Sequence, residues 1–146
     1  MEQHKLDKNI LFIATSIIFF AILQLFQTHF IYQHDVFLSQ PWRWWTGHWV
    51  HVGWIHYVLN VVALACLPFL FPNIKKQVFI ALLLILPPLL SLCFYLIYPH
   101  IFAYAGLSGI LHGLFVFCAI VSLKEKPVRN FAFFVLLCIL GKITWE

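Results

Sequence analysis

Charge is the scarcest property of this chain. Only 10% of its 146 residues are Asp, Glu, Lys or Arg, and 63% are hydrophobic. A soluble domain carries about 25% charged and 45–50% apolar residues. That deficit excludes an ordinary water-soluble domain and predicts a polytopic membrane protein. A basic tract is missing as well. The net charge is +4, but the lysines and arginines sit in short loops, where they report topology, and no nucleic-acid partner is expected. The four cysteines, Cys66, Cys93, Cys118 and Cys138, fall in separate apolar runs without a CxxC spacing. They read as small buried hydrophobes, neither disulfides nor metal ligands. There is no internal repeat and no low-complexity tract. After the first apolar run, Gln24, Gln27, Thr28 and His29 offer no small-x-small cleavage site, so that run reads as an uncleaved span rather than a signal peptide.

What is present is a series of apolar runs, each near the roughly 20 residues that cross a bilayer. Five spans are predicted, at about 10–26, 56–71, 77–98, 106–123 and 128–140, within a single domain over 1–146. Met1 to Asn9 reads as a short polar lead, and the fifth span as a short one ending before Gly141. Pro87 and Pro88 fall mid-way through the third span. Prolines there remove backbone donors, a loss tolerated where neighbours satisfy the freed carbonyls. Between the first two spans lies a long loop, His29 to Ile55. It holds Trp42, Trp44, Trp45, Trp49 and Trp54, five of the six tryptophans. Indoles prefer the headgroup level, so the loop is expected to lie in the interface.

With the N-terminus in the cytoplasm, inside segments hold Lys5, Lys8, Lys75, Lys76, Lys124, Lys126 and Arg129, and outside segments hold only Arg43 and Lys142. This satisfies the positive-inside rule. The second and fourth spans then both enter from outside. His56, Asn60 and Ser108 are thereby brought to similar depth near the outer leaflet. Polar groups inside spans are costly unless they meet one another or water, and they suggest function by default.

Tyr104 to Gly113, Tyr-Ala-Gly-Leu-Ser-Gly-Ile-Leu-His-Gly, carries the one nucleophile candidate. Ser108 stands at a helix start, where free N–H groups and the positive dipole end favour an oxyanion. Gly106 and Gly109 flank it, and Gly109 with Gly113 forms a small face that admits a neighbouring backbone. His56 and Asn60, four apart, share a helix face and could donate to the oxyanion, each donor being worth roughly 3 kcal/mol. The pattern suits acyl transfer by Ser108. The base is less evident. His112 shares the helix with Ser108 but lies one turn deeper, poorly placed for aligned proton transfer.

Other readings compete. Ser108 could be a packing serine in a glycine-notched helix. His48 and His51 are spaced like a one-turn metal pair, and membrane histidines also bind haem. Asp35 is the only acid in their loop, however, and each could be a satisfied interfacial histidine. Trp42-Arg43 could be an interfacial cation beside aromatic rings.

Together, Trp42-Arg43 in a long first loop, His56-x-x-x-Asn60 opening the second span and Gly106-Leu-Ser108-Gly109 opening the fourth resemble the rhomboid family of intramembrane serine proteases. The resemblance covers essentially the whole chain. It implies an all-α, polytopic, rhomboid-like helical bundle with Ser108 as nucleophile. His56, Asn60 and the Ser108 amide become oxyanion stabilisers, Trp42-Arg43 shapes the first loop, and His112, Gly106 and Gly109 support the site. The run Gly-Leu-Ser-Gly-Ile-Leu-His-Gly is most similar to the bacterial rhombosortase subgroup. That implies inner-membrane exported-protein substrates with a Gly-Gly-containing C-terminal tail, a hydrophobic helix and then basic residues. Neither cofactor nor metal is implied; the partners are a substrate tail helix and the bilayer.

The family's base is a histidine on a sixth span, and this sequence has none. A C-terminally truncated copy, nearly inactive by itself, is therefore the expectation, with a catalytically inactive helix-binding relative as the alternative.

Overall fold

A computed structural model describes the backbone of residues 2–145 and the side chains from Ile10 to Trp145. Met1 and Glu146, and the side chains of Lys5 and Lys8, which enter the topology argument, lie outside the described residues. Helix α1 runs Glu2–Gln24, α2 Gln27–Phe30, α3 Arg43–Trp49, α4 Trp54–Leu70, α5 Lys76–Leu96, α6 Ser108–Ser122 and α7 Arg129–Trp145. Two short strands, β1 (Tyr32–Gln33) and β2 (Ala103–Tyr104), pair antiparallel with Tyr32 opposite Tyr104.

The architecture is thus mostly helical, with some departures from expectation. Helix α1 begins at Glu2, through the segment read as a polar lead. Helix α7 continues through Gly141 to Trp145 instead of ending at 140, because neither Gly141 nor the residues after it introduce a proline or a cap. The first loop is not irregular: α2, β1 and α3 occupy it. By length and composition α5 is the one helix among the described residues long and apolar enough to cross a bilayer. The pair α3–α4, bent by 93°, would qualify as a second span, while Ile10–Gln24 and α6 are apolar but shorter.

Helix α6 shows why the bundle holds together. Ile110, Leu111, Leu114 and Cys118 recur at helical spacing and are buried, joined by Leu107 just before the helix. They meet Leu64 and Leu67 of α4, Phe79 and Leu83 of α5 and Ala132 of α7 in one core cluster. Outward faces remain apolar: Ile18, Leu59, Leu84 and Leu137 are all more than half exposed. Such surfaces suit lipid rather than water. The small face of α6 packs differently from expectation. A Cβ at Gly109 would lie 2.8 Å from Leu90 Cδ2, and one at Gly113 3.1 Å from Leu86 Cδ1. Two leucine tips of α5 fill the notch, rather than a backbone. The cysteines diverge as well: only Cys118 is buried, while Cys66 and Cys138 are exposed on helix faces.

Pro87 and Pro88 leave α5 unbroken. Pro88 cannot donate to the Leu84 carbonyl, and the indole N–H of Trp45 on α3 does so instead, at 2.7 Å. The first loop is therefore fastened to the third span at the point where the prolines weaken it.

Candidate active site

The approach to Ser108 is fixed by backbone pairing. β2 lies against β1, and after it Gly106 takes φ +154, a conformation that L side chains rarely adopt. The Gly106 N–H donates to the Gly47 carbonyl at 3.1 Å, tying the turn to α3. Helix α6 then starts at Ser108 with no side-chain cap. Its leading amides are served from outside the helix. The Leu107 N–H donates to His51 Nε2 at 3.4 Å, and the Gly109 N–H to the Tyr104 hydroxyl at 3.4 Å.

His51 is itself held from α1. Gln24 receives the His51 N–H at 2.7 Å and donates to the His51 carbonyl at 2.8 Å, both residues being buried. Because His51 Nε2 accepts, its ring proton sits on Nδ1, a buried atom without a partner. Burial, and then the neighbouring His56, push the His51 pKa down to about 4. His48 faces a second buried cluster. Ser91 donates to the Trp44 carbonyl at 2.9 Å, so it receives the His48 Nε2–H, also at 2.9 Å. Burial takes the His48 pKa down to about 3. Both imidazoles are neutral at physiological pH. Each spends its Nε2 within the fold, and no group of three or more His, Cys, Asp or Glu capable of holding a metal occurs among the described residues.

One cavity of about 510 Å³ gathers His56 and Asn60 of α4, Ser108 and His112 of α6, and Cys138 and Lys142 of α7. Leu59, Ala63, Leu111, Phe115, Phe134, Val135 and Ile139 supply its apolar walls. Asn60, buried, donates from Nδ2 to the His56 carbonyl at 2.8 Å, within its own helix. His56 is half-buried, with its ring centre 5.4 Å from that of His51. A Cβ at Gly106 would come within 3.0 Å of His56 Cε1, so the glycine lets that imidazole approach the Ser108 turn.

His112 donates from Nδ1 to the Ser108 carbonyl at 2.7 Å, one turn back along α6. The ring is thus bound to backbone, and no imidazole among the described residues hydrogen-bonds Ser108 Oγ. The partner of that oxygen is the Tyr104 hydroxyl at 3.4 Å.

Trp42 and Arg43 lie away from this cavity. Arg43 is buried at the start of α3, where it donates to the Gln40 side chain at 2.5 Å and to the carbonyls of Ile31 at 2.5 Å and Thr28 at 3.4 Å. It binds α2 and the residue after it to α3. Trp42 is half exposed and reaches the His29 carbonyl only at 3.5 Å.

Tyr104, Gln24 and Ser91 were not among the residues singled out from sequence. Gln24 and Ser91 carried a signal, being polar groups inside apolar runs. Tyr104 stands four residues before Ser108, but it lies in a strand and not on the helix, so helical spacing gave no signal for it.

The sequence matches the Rhomboid domain family over residues 38–146, about three quarters of the chain. No curated protein and no solved structure gave a significant match.

Proposed function

This chain belongs to the rhomboid family, membrane-embedded proteins that are in general serine proteases, and we propose that it is an intramembrane serine peptidase acting through Ser108. The observation that carries this reading is the cavity that Ser108 lines together with His56 and Asn60. Ser108 Oγ bonds to the scissile carbonyl carbon. The carbonyl oxygen takes up negative charge and turns toward the Ser108 amide, His56 and Asn60. The amide C–N bond breaks, the amine leaves with a proton, and water later hydrolyses the acyl ester. Of these groups, Asn60 must rotate off the His56 carbonyl to donate to an oxyanion, a local side-chain change. His112 supports the first turn of α6, and the proton of Ser108 passes to a base that approaches from the cavity, which the family resemblance assigns to a histidine on a sixth span.

The substrate in this reading is an exported protein with a Gly-Gly-containing C-terminal tail, its hydrophobic helix followed by basic residues, as in rhombosortase-type processing. The apolar walls of the cavity support an apolar segment as occupant. Cleavage occurs near the outer face of a bacterial inner membrane, with the N-terminus in the cytoplasm.

A second reading, a catalytically inactive helix-binding relative, draws on one observation: Ser108 Oγ has a phenol and no imidazole as its partner. The two separate in one experiment, with a fluorophosphonate probe and a Gly-Gly tail peptide applied in membranes to the protein with the sixth-span histidine present. The peptidase labels covalently and loses the label in Ser108→Ala. Peptide capture that persists in Ser108→Ala, without labelling of the native chain, overturns the peptidase.

A further inference from the structure

From the Tyr104–Ser108–Gly109 contacts we infer that Tyr104 is a catalytic residue, its phenol donating a hydrogen bond to the nucleophile Ser108 Oγ. The inference rests on Ser108 acting as nucleophile and adds a group that the sequence motifs do not contain.

By geometry either oxygen could donate, and the neighbouring bond together with phenol chemistry favours Tyr104 as the donor. The Tyr104 oxygen already accepts the Gly109 N–H at 3.4 Å. The phenolic proton is then left to donate, and Ser108 Oγ at 3.4 Å is its hydrogen-bonded partner. A phenol is also a better hydrogen-bond donor than an aliphatic hydroxyl. Both separations are long, as is common in sites that tighten only when a substrate is bound. With Tyr104 donating, the Ser108 proton is kept out of this bond and points elsewhere, available to a base. As Ser108 Oγ gains negative charge on losing that proton, or when the acyl ester collapses and expels it, the bond becomes charge-assisted and roughly twice as strong. An interaction stronger in the transition state than in the ground state is one that accelerates the chemistry.

The fold sets the phenol in place independently of Ser108. Tyr104 ends β2, opposite the fully buried Tyr32. Its ring packs on Phe94, with centres 5.0 Å apart, and on His48 at 5.2 Å. The His48 ring is in turn fixed by Ser91. A phenylalanine at 104 preserves this packing and deletes the hydroxyl, and with it the acceptor of the Gly109 N–H.

The test compares native protein, Tyr104→Phe and Ser108→Ala in lipid nanodiscs. Two signals are followed: the rate of Ser108-dependent fluorophosphonate labelling, and the 19F resonance of 3-fluorotyrosine installed at position 104. Tyr104→Phe is expected to slow labelling about tenfold, equivalent to ~1.4 kcal/mol, with an unchanged thermal midpoint. Ser108→Ala is expected to shift the 19F resonance, a change that ring packing alone does not produce. An unchanged labelling rate in Tyr104→Phe overturns the inference, as does an unmoved 19F resonance. If the native chain shows no Ser108-dependent labelling, the peptidase reading fails and the catalytic role falls with it. A 19F shift then leaves only the Tyr104–Ser108 bond, which tells that failure apart from a misplaced phenol.

Discussion

Trp45 Nε1 lies 2.7 Å from the Leu84 carbonyl oxygen, the acceptor that Pro88 four residues later cannot serve. A proline mid-helix ordinarily leaves such a carbonyl to water, which a bilayer does not supply. Here the first loop provides the donor, so one bond both repairs α5 and anchors α3 beside it. The bond links the scaffold under the candidate nucleophile to the third span, because Gly106 hangs from Gly47 of the same short α3.

This coupling has a measurable consequence. Trp45→Phe keeps the ring and removes the donor, and is expected to destabilise the protein by about 1–3 kcal/mol, the range for a polar group left without a partner out of water, here at the lipid-facing surface of α5. Pro88→Ala restores a helical N–H to the Leu84 carbonyl, so Trp45→Phe in that background should cost clearly less. A denaturant or thermal double-mutant cycle measures the difference. Equal costs in both backgrounds would show that the indole contributes only packing.

Much of this arrangement was legible in the amino acids. Apolar runs located the helices from α4 onward to within a few residues, since length and hydropathy dominate where the surround is lipid. His56, Asn60 and Ser108 were grouped by one argument: two spans that both enter from outside place their first turns at similar depth. Several of the unforeseen parts involve contacts between segments distant in the chain. Tyr104 stands four residues before Ser108, and its strand pairs with β1 about 70 residues earlier in the chain. The His51–Leu107 bond joins residues 56 positions apart. Local periodicity holds no record of either. The extension of α7 to Trp145 was missed because Gly141 and Lys142 were read as punctuation, whereas one glycine costs a helix only about 1 kcal/mol.

Acid should weaken the protein through two buried imidazoles. His48 and His51 have pKa values lowered to about 3 and about 4, against about 6.5 in an unfolded chain. Below pH 6.5 the unfolded state therefore binds more protons than the folded one. Stability is highest above that pH and falls as it drops, levelling only below about 4 for His51 and about 3 for His48. With five acidic residues in the whole chain, carboxylate titration contributes little to mask the effect. The thermal midpoint in nanodiscs should decline steadily from pH 7 to pH 4. His48→Gln, which retains a donor for Ser91, should flatten that decline while lowering the midpoint at pH 7. A midpoint independent of pH across this interval would mean that neither ring is as enclosed as the structure has it.

Gly106 offers the sharpest test of how the turn and the cavity depend on each other. Its φ of +154 is costly for any residue with a Cβ, and the added carbon would stand 3.0 Å from His56 Cε1. Gly106→Ala therefore carries two penalties: backbone strain of order 1–3 kcal/mol, and displacement of the proposed oxyanion donor. The penalties separate genetically. In Gly106→Ala alone, stability and Ser108 labelling should both fall. Adding His56→Ala removes the steric conflict and leaves the strain, so part of the stability should return. Labelling should not return with it, because losing an oxyanion donor costs about 10²–10³ in rate. Recovery of both in the double variant would mean that His56 merely fills space beside the turn, and the assignment of this imidazole to the oxyanion would have to be given up.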